Sequence, residues 1–173
     1  MHIQGRAWVF GDNIDTDLIV PGQYLMAPLE EQAKHVFEAI EPSFIREVKQ
    51  GDIIVGGRNF GCGSSREMAP QVLKHLGVGC ILAEDFARIF FRNAIAIGLP
   101  TMAVKGIAGK IDRFEELSIS LNSGHILVKS TGLHFKATPL PDKMREIIDA
   151  GGIDGMLKNL GKIAMEQTKK MNA

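Results

Sequence analysis

One seven-residue run, Gly61-Cys62-Gly63-Ser64-Ser65-Arg66-Glu67, concentrates the chemistry of this 173-residue chain. Glycines let a backbone take positive φ or approach a ligand closely. Backbone N–H groups ahead of a helix, aided by its dipole, then favour an anion. The Arg66 guanidinium offers a planar fork that matches a carboxylate in two hydrogen bonds. A serine needs activation to serve as base or nucleophile, and a nest of N–H donors is one way to lower its pKa. The same letters also allow a plainer reading, in which Ser64 caps a helix and Glu67 completes a capping box. There is no G-x-x-x-x-G-K-[ST] run, and Gly61-Cys62-Gly63 without a third glycine is a poor dinucleotide fingerprint.

Two further segments carry chemistry. Asp12-Asn13-Ile14-Asp15-Thr16-Asp17 packs three acids into six residues; it either holds a cation, supplies a carboxylate, or forms a polar turn bonded to its own backbone. Arg88 and Arg92 stand four apart on one helical face, either solvated or with one aimed at a ligand. Cys62 is read as a small buried residue rather than a reactive thiol, since nothing near it in sequence resembles a base. Cys62 and Cys80 cannot complete a four-ligand metal site. His2, His35, His75, His125 and His134 are scattered, and none pairs with another at metal-ligand spacing. Any metal is therefore expected on another chain.

Periodicity supplies the elements that must position these residues. Ile3 to Phe10 reads as a strand closed by Gly11-Asp12-Asn13. Leu29, Ala33, Val36, Phe37 and Ile40 fall at helical spacing between Pro28 and Pro42. Ile53-Ile54-Val55 is a second strand leading into the serine loop, and Met68 to Leu76 a helix with Pro70 in its first turn. A buried strand spans Val78 to Leu82. Asp85 is expected to cap a helix over Phe86–Ile97 that stops at Gly98, and Leu99 to Val104 is strand-like. This alternation predicts an α/β layered unit with parallel pairing. Leu117 to Leu121 alternates with period two, turns at Asn122-Ser123-Gly124, and is answered by His125 to Val128, a hairpin. Leu133 to Ala137 adds a strand. Helices follow from Pro141 to about Ala150 and from Ile153 to Lys170, split by Gly151-Gly152. One domain over 1–173 is expected, with 165–173 a frayed tail.

Twenty basic and twenty acidic residues give zero formal charge, which argues against a general nucleic-acid binder or an acidic disordered tail. Apolar residues at 45% suffice for a real core. No apolar run is long enough for a membrane span. The opening Met1-His2-Ile3-Gln4-Gly5-Arg6 lacks the layout of a signal peptide, so a cytoplasmic chain is expected.

Gly11 to Pro21, Asn59 to Glu67 and Asp85 to Asn93, in this order and at these separations, resemble the small subunits of the aconitase superfamily, in particular the stand-alone isopropylmalate dehydratase type. The resemblance spans Ile3 to about Leu160. Met68 stands where relatives often carry histidine, and Asp85 where serine is usual. The resemblance implies a swivelling β/β/α domain that closes over a larger chain carrying a [4Fe–4S] cluster, with none bound here. It implies a hydro-lyase that moves a hydroxyl between adjacent carbons. Ser64 would take the proton α to a carboxylate; Ser65 and Arg66 would hold substrate carboxylate; the acid of the first motif maps onto Asp17, with Asp15 second. Tyr24-Leu25-Met26-Ala27 would lie against the substrate's variable group. Relatives that accept an extra carboxylate place arginine at the position of Met26. An apolar Met26 favours isopropylmalate, then dimethylmalate, over homoaconitase substrates. A non-catalytic docking module is the reading from another class, and a self-sufficient serine hydrolase lacks any His or Asp pairing.

Overall fold

The computed structural model describes residues 1–64 and 66–171, apart from the side chains of 163, 164 and 166–171. Seven strands, β1 (His2–Val9), β2 (Ile53–Gly56), β3 (Cys80–Ala83), β4 (Thr101–Ala103), β5 (Glu116–Ser120), β6 (His125–Val128) and β7 (His134–Lys136), form one sheet. Its order is β4-β3-β2-β1-β5-β6-β7. The β1–β4 half is parallel, and β5–β7 add on antiparallel at the other side of β1. The parallel half is where the sequence alternates strand and helix, because parallel neighbours need a crossover. The period-two strands form the antiparallel half.

Helices α1 (Thr16–Ile19), α2 (Leu29–Ala33), α3 (Phe44–Glu47), α4 (Met68–His75), α5 (Arg88–Ala96), α6 (Asp142–Asp149) and α7 (Ile153–Met171) complete the mixed α/β fold. Two buried clusters fill the two faces of the sheet. Trp8, Ile54, Ile81 and Ala83 meet Phe37, Phe44, Val72, Leu73 and Phe90 on one face. Ala7, Ile53, Val55, Leu82 and Met102 meet Leu117, Ile119, Ile126 and Val128 on the other. Strands from both ends of the sheet share that second cluster, so the sheet curls round it as a half-barrel.

Three local expectations are corrected. The helix expected to Ile40 stops after Ala33 and continues as turns. Phe37 takes φ 57° and donates its N–H to the Ile19 carbonyl at 3.2 Å, which a helix does not permit. The apolar spacing reported burial there, since Val36 and Phe37 are fully buried. Helix α5 begins at Arg88, not Phe86, and has no side-chain cap. Asp85 instead accepts the Asn59 N–H at 2.7 Å, and Phe86 forms a bridge to Phe60. The expected capping box is also absent: α4 starts at Met68 with Glu67 as an uncapped N-terminal neighbour. Helix α7 runs to Met171; residues 172 and 173 of the expected tail lie outside the described residues.

Candidate active site

All three motif segments leave the carboxyl ends of adjacent parallel strands: 10–17 after β1, 57–67 after β2 and 84–87 after β3. In open parallel sheets this is the end at which ligands bind. The segments are laced to one another. The Gly61 N–H donates to the Ile14 carbonyl at 2.7 Å, the Thr16 N–H to Cys62 at 2.9 Å, and the Thr16 hydroxyl to the Ser64 carbonyl at 3.1 Å. On the other side the Ala87 N–H donates to the Phe60 carbonyl at 2.9 Å. Gly61 permits this closeness: at φ 75°, a Cβ there would lie 2.1 Å from Cγ of Phe90.

A cleft of about 420 Å³ opens between the loops, lined by Thr16, Gly61, Gly63, Ser64 and Arg66 and by Ala87–Phe90 with Arg92. Ser64 is exposed within it. The Arg66 N–H donates to its Ser64 carbonyl at 2.8 Å, closing a tight turn just before α4. Ser64 thus stands four residues ahead of α4, and the helix start that lines the cleft belongs to α5. This corrects the expectation that the helix following the serine loop supplies the donors.

The three acids of the first motif divide their work. Asp12 accepts the Arg58 N–H at 2.7 Å and its guanidinium at 2.8 and 3.0 Å, bonds that hold its carboxyl below the usual carboxylate range. Asp15 caps α1 by accepting the Leu18 N–H at 2.7 Å. Asp17 accepts from Arg66 at 2.5 Å, and Arg66 also donates to the Val20 carbonyl at 3.3 Å. Asp12 and Asp15 meet the same loop at Arg58 and Cys62, and Asp17 is the acid that reaches the Arg66 guanidinium. Ser65 lies outside the described residues.

Tyr24-Leu25-Met26-Ala27 does not line the cleft. Tyr24 stacks on His35 with centroids 3.6 Å apart, Leu25 packs on the core, Ala27 is half-buried, and Met26 alone projects, 97% exposed. Arg88 and Arg92, which the sequence left between a solvated face and a ligand contact, are exposed and line the cleft. Thr16 stood in the first motif without a role of its own, because no feature of the sequence set its hydroxyl apart from the acids around it.

Cys62 is half-buried, and desolvation together with the Asp15 charge pushes its thiol pKa up. Cys80 is fully buried in the core, and burial pushes its thiol up far more. Among the described residues no three His, Cys, Asp or Glu side chains gather to hold a metal ion. This donor set does not fit an iron–sulfur cluster. One pairing that spacing hid does occur: His134 Nδ1 lies 2.9 Å from His125 Nε2, nine residues away, because β6 and β7 are adjacent. A larger cavity of about 660 Å³ lies among α4, α5 and the α6–α7 link. Its Lys74 ammonium is committed to the Ile97 and Gly151 carbonyls. No helix among the described residues is long and apolar enough to cross a membrane.

A mixed sheet flanked by helices, with a glycine–serine–arginine loop at the carboxyl end of its parallel half, is the architecture of aconitase-type swivelling domains. The Aconitase C-terminal domain family matches residues 28–106. The chain is 48% identical over 165 residues to 3-isopropylmalate dehydratase small subunit 1 of Methanopyrus kandleri, covering 95% of this chain and 97% of that one. It is 53% identical over 152 residues to the methanogen homoaconitase small subunit of Methanothermobacter thermautotrophicus, covering 87% and 88%. A crystal structure of 3-isopropylmalate dehydratase from Methanocaldococcus jannaschii superposes with TM-score 0.90 at 39% identity, covering 96% and 99%. The chain belongs to the family of 3-isopropylmalate dehydratase small subunits, hydro-lyase subunits of the aconitase superfamily.

Proposed function

We propose that this chain is the small subunit of a two-chain cytoplasmic hydro-lyase that interconverts 2-isopropylmalate and 3-isopropylmalate through isopropylmaleate in leucine biosynthesis. The observation that carries the reading is Ser64, exposed in a cleft beside an arginine that Asp17 holds in place. Ser64 serves as the base, its alkoxide taking the proton from the carbon α to a carboxylate. Arg66 and Ser65 hold a substrate carboxylate and stabilise the serine oxyanion. Asp17 positions the Arg66 fork rather than touching the reacting carbon. A large partner subunit carries the [4Fe–4S] cluster, which when bound supplies Lewis-acid chemistry at the departing hydroxyl. Closure onto that partner excludes water from the cleft and strengthens these charge contacts.

Met26 stands outside the cleft of this chain alone, and its part in substrate choice is exercised when the chain closes onto its partner. An apolar, exposed side chain offers no partner for a third carboxylate and would leave that charge unpaired when the domains close. An alkyl group against the same surface gains about 1–3 kcal/mol. This favours isopropylmalate, with dimethylmalate next and homoaconitase substrates last. Met26→Arg is expected to admit homocitrate-type acids; unchanged specificity on a panel of the three acids would remove this loop from the argument.

The central experiment is an anaerobic pull-down of the tagged chain from its host, with iron content and hydratase activity measured on the eluate. An iron-rich large partner and isopropylmalate turnover are expected. Ser64→Ala should keep the partner and lose turnover by about 10²–10⁴-fold, the usual worth of a positioned base. A chain that emerges alone and iron-free, or a Ser64→Ala complex with full activity, points instead to a docking module.

A further inference from the structure

The cleft holds more positive charge than its own carboxylates answer. Arg66 is balanced by Asp17. No acid of the surrounding loops lines the cleft: Asp12 is on Arg58, Asp15 on the Leu18 N–H, Asp85 on the Asn59 N–H, Glu84 on the Gly106 and Ala108 N–H groups, and Glu67 lines the larger cavity instead. Arg88 and Arg92 line the same cleft, one helical turn apart, with no hydrogen-bond or carboxylate partner among the described residues. The cleft lining thus carries three arginines and no acid, a setting that suits an anion with more than one carboxylate.

We infer that Arg88 and Arg92 form a capture arm for the dicarboxylate substrate, drawing its carboxylates into the cleft beside Ser64. The inference rests on the reading of this cleft as the substrate site. The helix that carries the arm is anchored to the serine loop. Phe90, between the two arginines, is buried against Gly61, and the Phe60 carbonyl accepts the Ala87 N–H at the start of α5. The backbone positions of both arginines are therefore fixed beside the serine loop. A concave site with one sign of charge concentrates an oppositely charged substrate and speeds its association. A position inside the cleft, rather than on a convex face, favours substrate over an acidic surface of the partner as the ligand.

The test uses the reconstituted two-subunit enzyme with Arg88→Gln, Arg92→Gln and the corresponding lysine variants. Each glutamine variant should raise KM for the alkylmalate roughly tenfold, as loss of a charged hydrogen bond implies, with kcat changed much less. The fall of kcat/KM with added salt should become shallower. Lysine, which keeps the charge without the fork, should restore the salt dependence and part of KM. An unchanged KM, or a glutamine variant that instead loses its large subunit on co-purification, overturns the capture arm. Ser64→Ala separates the two readings. If it abolishes turnover while the arginine variants keep wild-type KM, only the arm fails; if it retains turnover, the reading of the cleft fails and takes the arm with it.

Discussion

Asp52 shows how a single residue can matter without any motif to announce it. It sits in the turn before β2, almost wholly buried, and accepts from Arg6 at 2.8 and 3.2 Å, from the Trp8 indole at 2.9 Å and from the Lys49 N–H at 2.9 Å. Burial alone would raise its pKa, but these four donors outweigh it and hold the carboxyl below its ordinary value. A carboxylate depressed in the folded state contributes stability above its unfolded pKa and loses it as pH falls through the folded one. Acid unfolding followed by circular dichroism should therefore show stability declining below about pH 4. Asp52→Asn should flatten that acid limb and cost about 2–3 kcal/mol at neutral pH. The contrast with Ser64 is instructive. Ser64 was legible because glycines and an arginine flank it in sequence, whereas the side-chain partners of Asp52 are 44 and 46 residues away.

At the scale of elements, the serine loop and α5 behave as one unit. Gly61 lets the loop run against Phe90, and the added methyl of Gly61→Ala would collide with that ring at a φ that disfavours any side chain. Phe90 is buried and cannot swing aside freely. Gly61→Ala should destabilise the fold by about 2–4 kcal/mol and lower turnover further, because Ser64 and Arg88 would move apart. Urea denaturation together with steady-state rates checks both. A variant of native stability and full rate would show that the loop tolerates displacement. Element existence was readable from periodicity, but element ends were not. The helix at Leu29 shortened because Phe37 bonds to Ile19 across the chain, and α5 started late because Asp85 and Phe86 were recruited by the serine loop.

Over the whole molecule, β2 and β3 place alternate side chains in two cores, Ile54 and Ile81 on one face and Ile53 and Leu82 on the other. Two cores on shared strands are expected to melt together, as a single domain. Leu73→Ala in the first core and Ile126→Ala in the second should each cost about 2–5 kcal/mol and lower one common transition in calorimetry. Two separable transitions would divide the chain into independent units. The sequence by itself determined the strand–helix alternation, the hairpin that follows it and the serine–arginine motif, because local spacing sets periodicity and turn chemistry. Only the tertiary structure decided which acid reaches Arg66, that Tyr24 turns onto His35 while Met26 projects, and that Arg88 and Arg92 share a cleft with Ser64. Those outcomes depend on contacts between distant segments, and they are set when three adjacent parallel strands bring their carboxyl-end loops to one place.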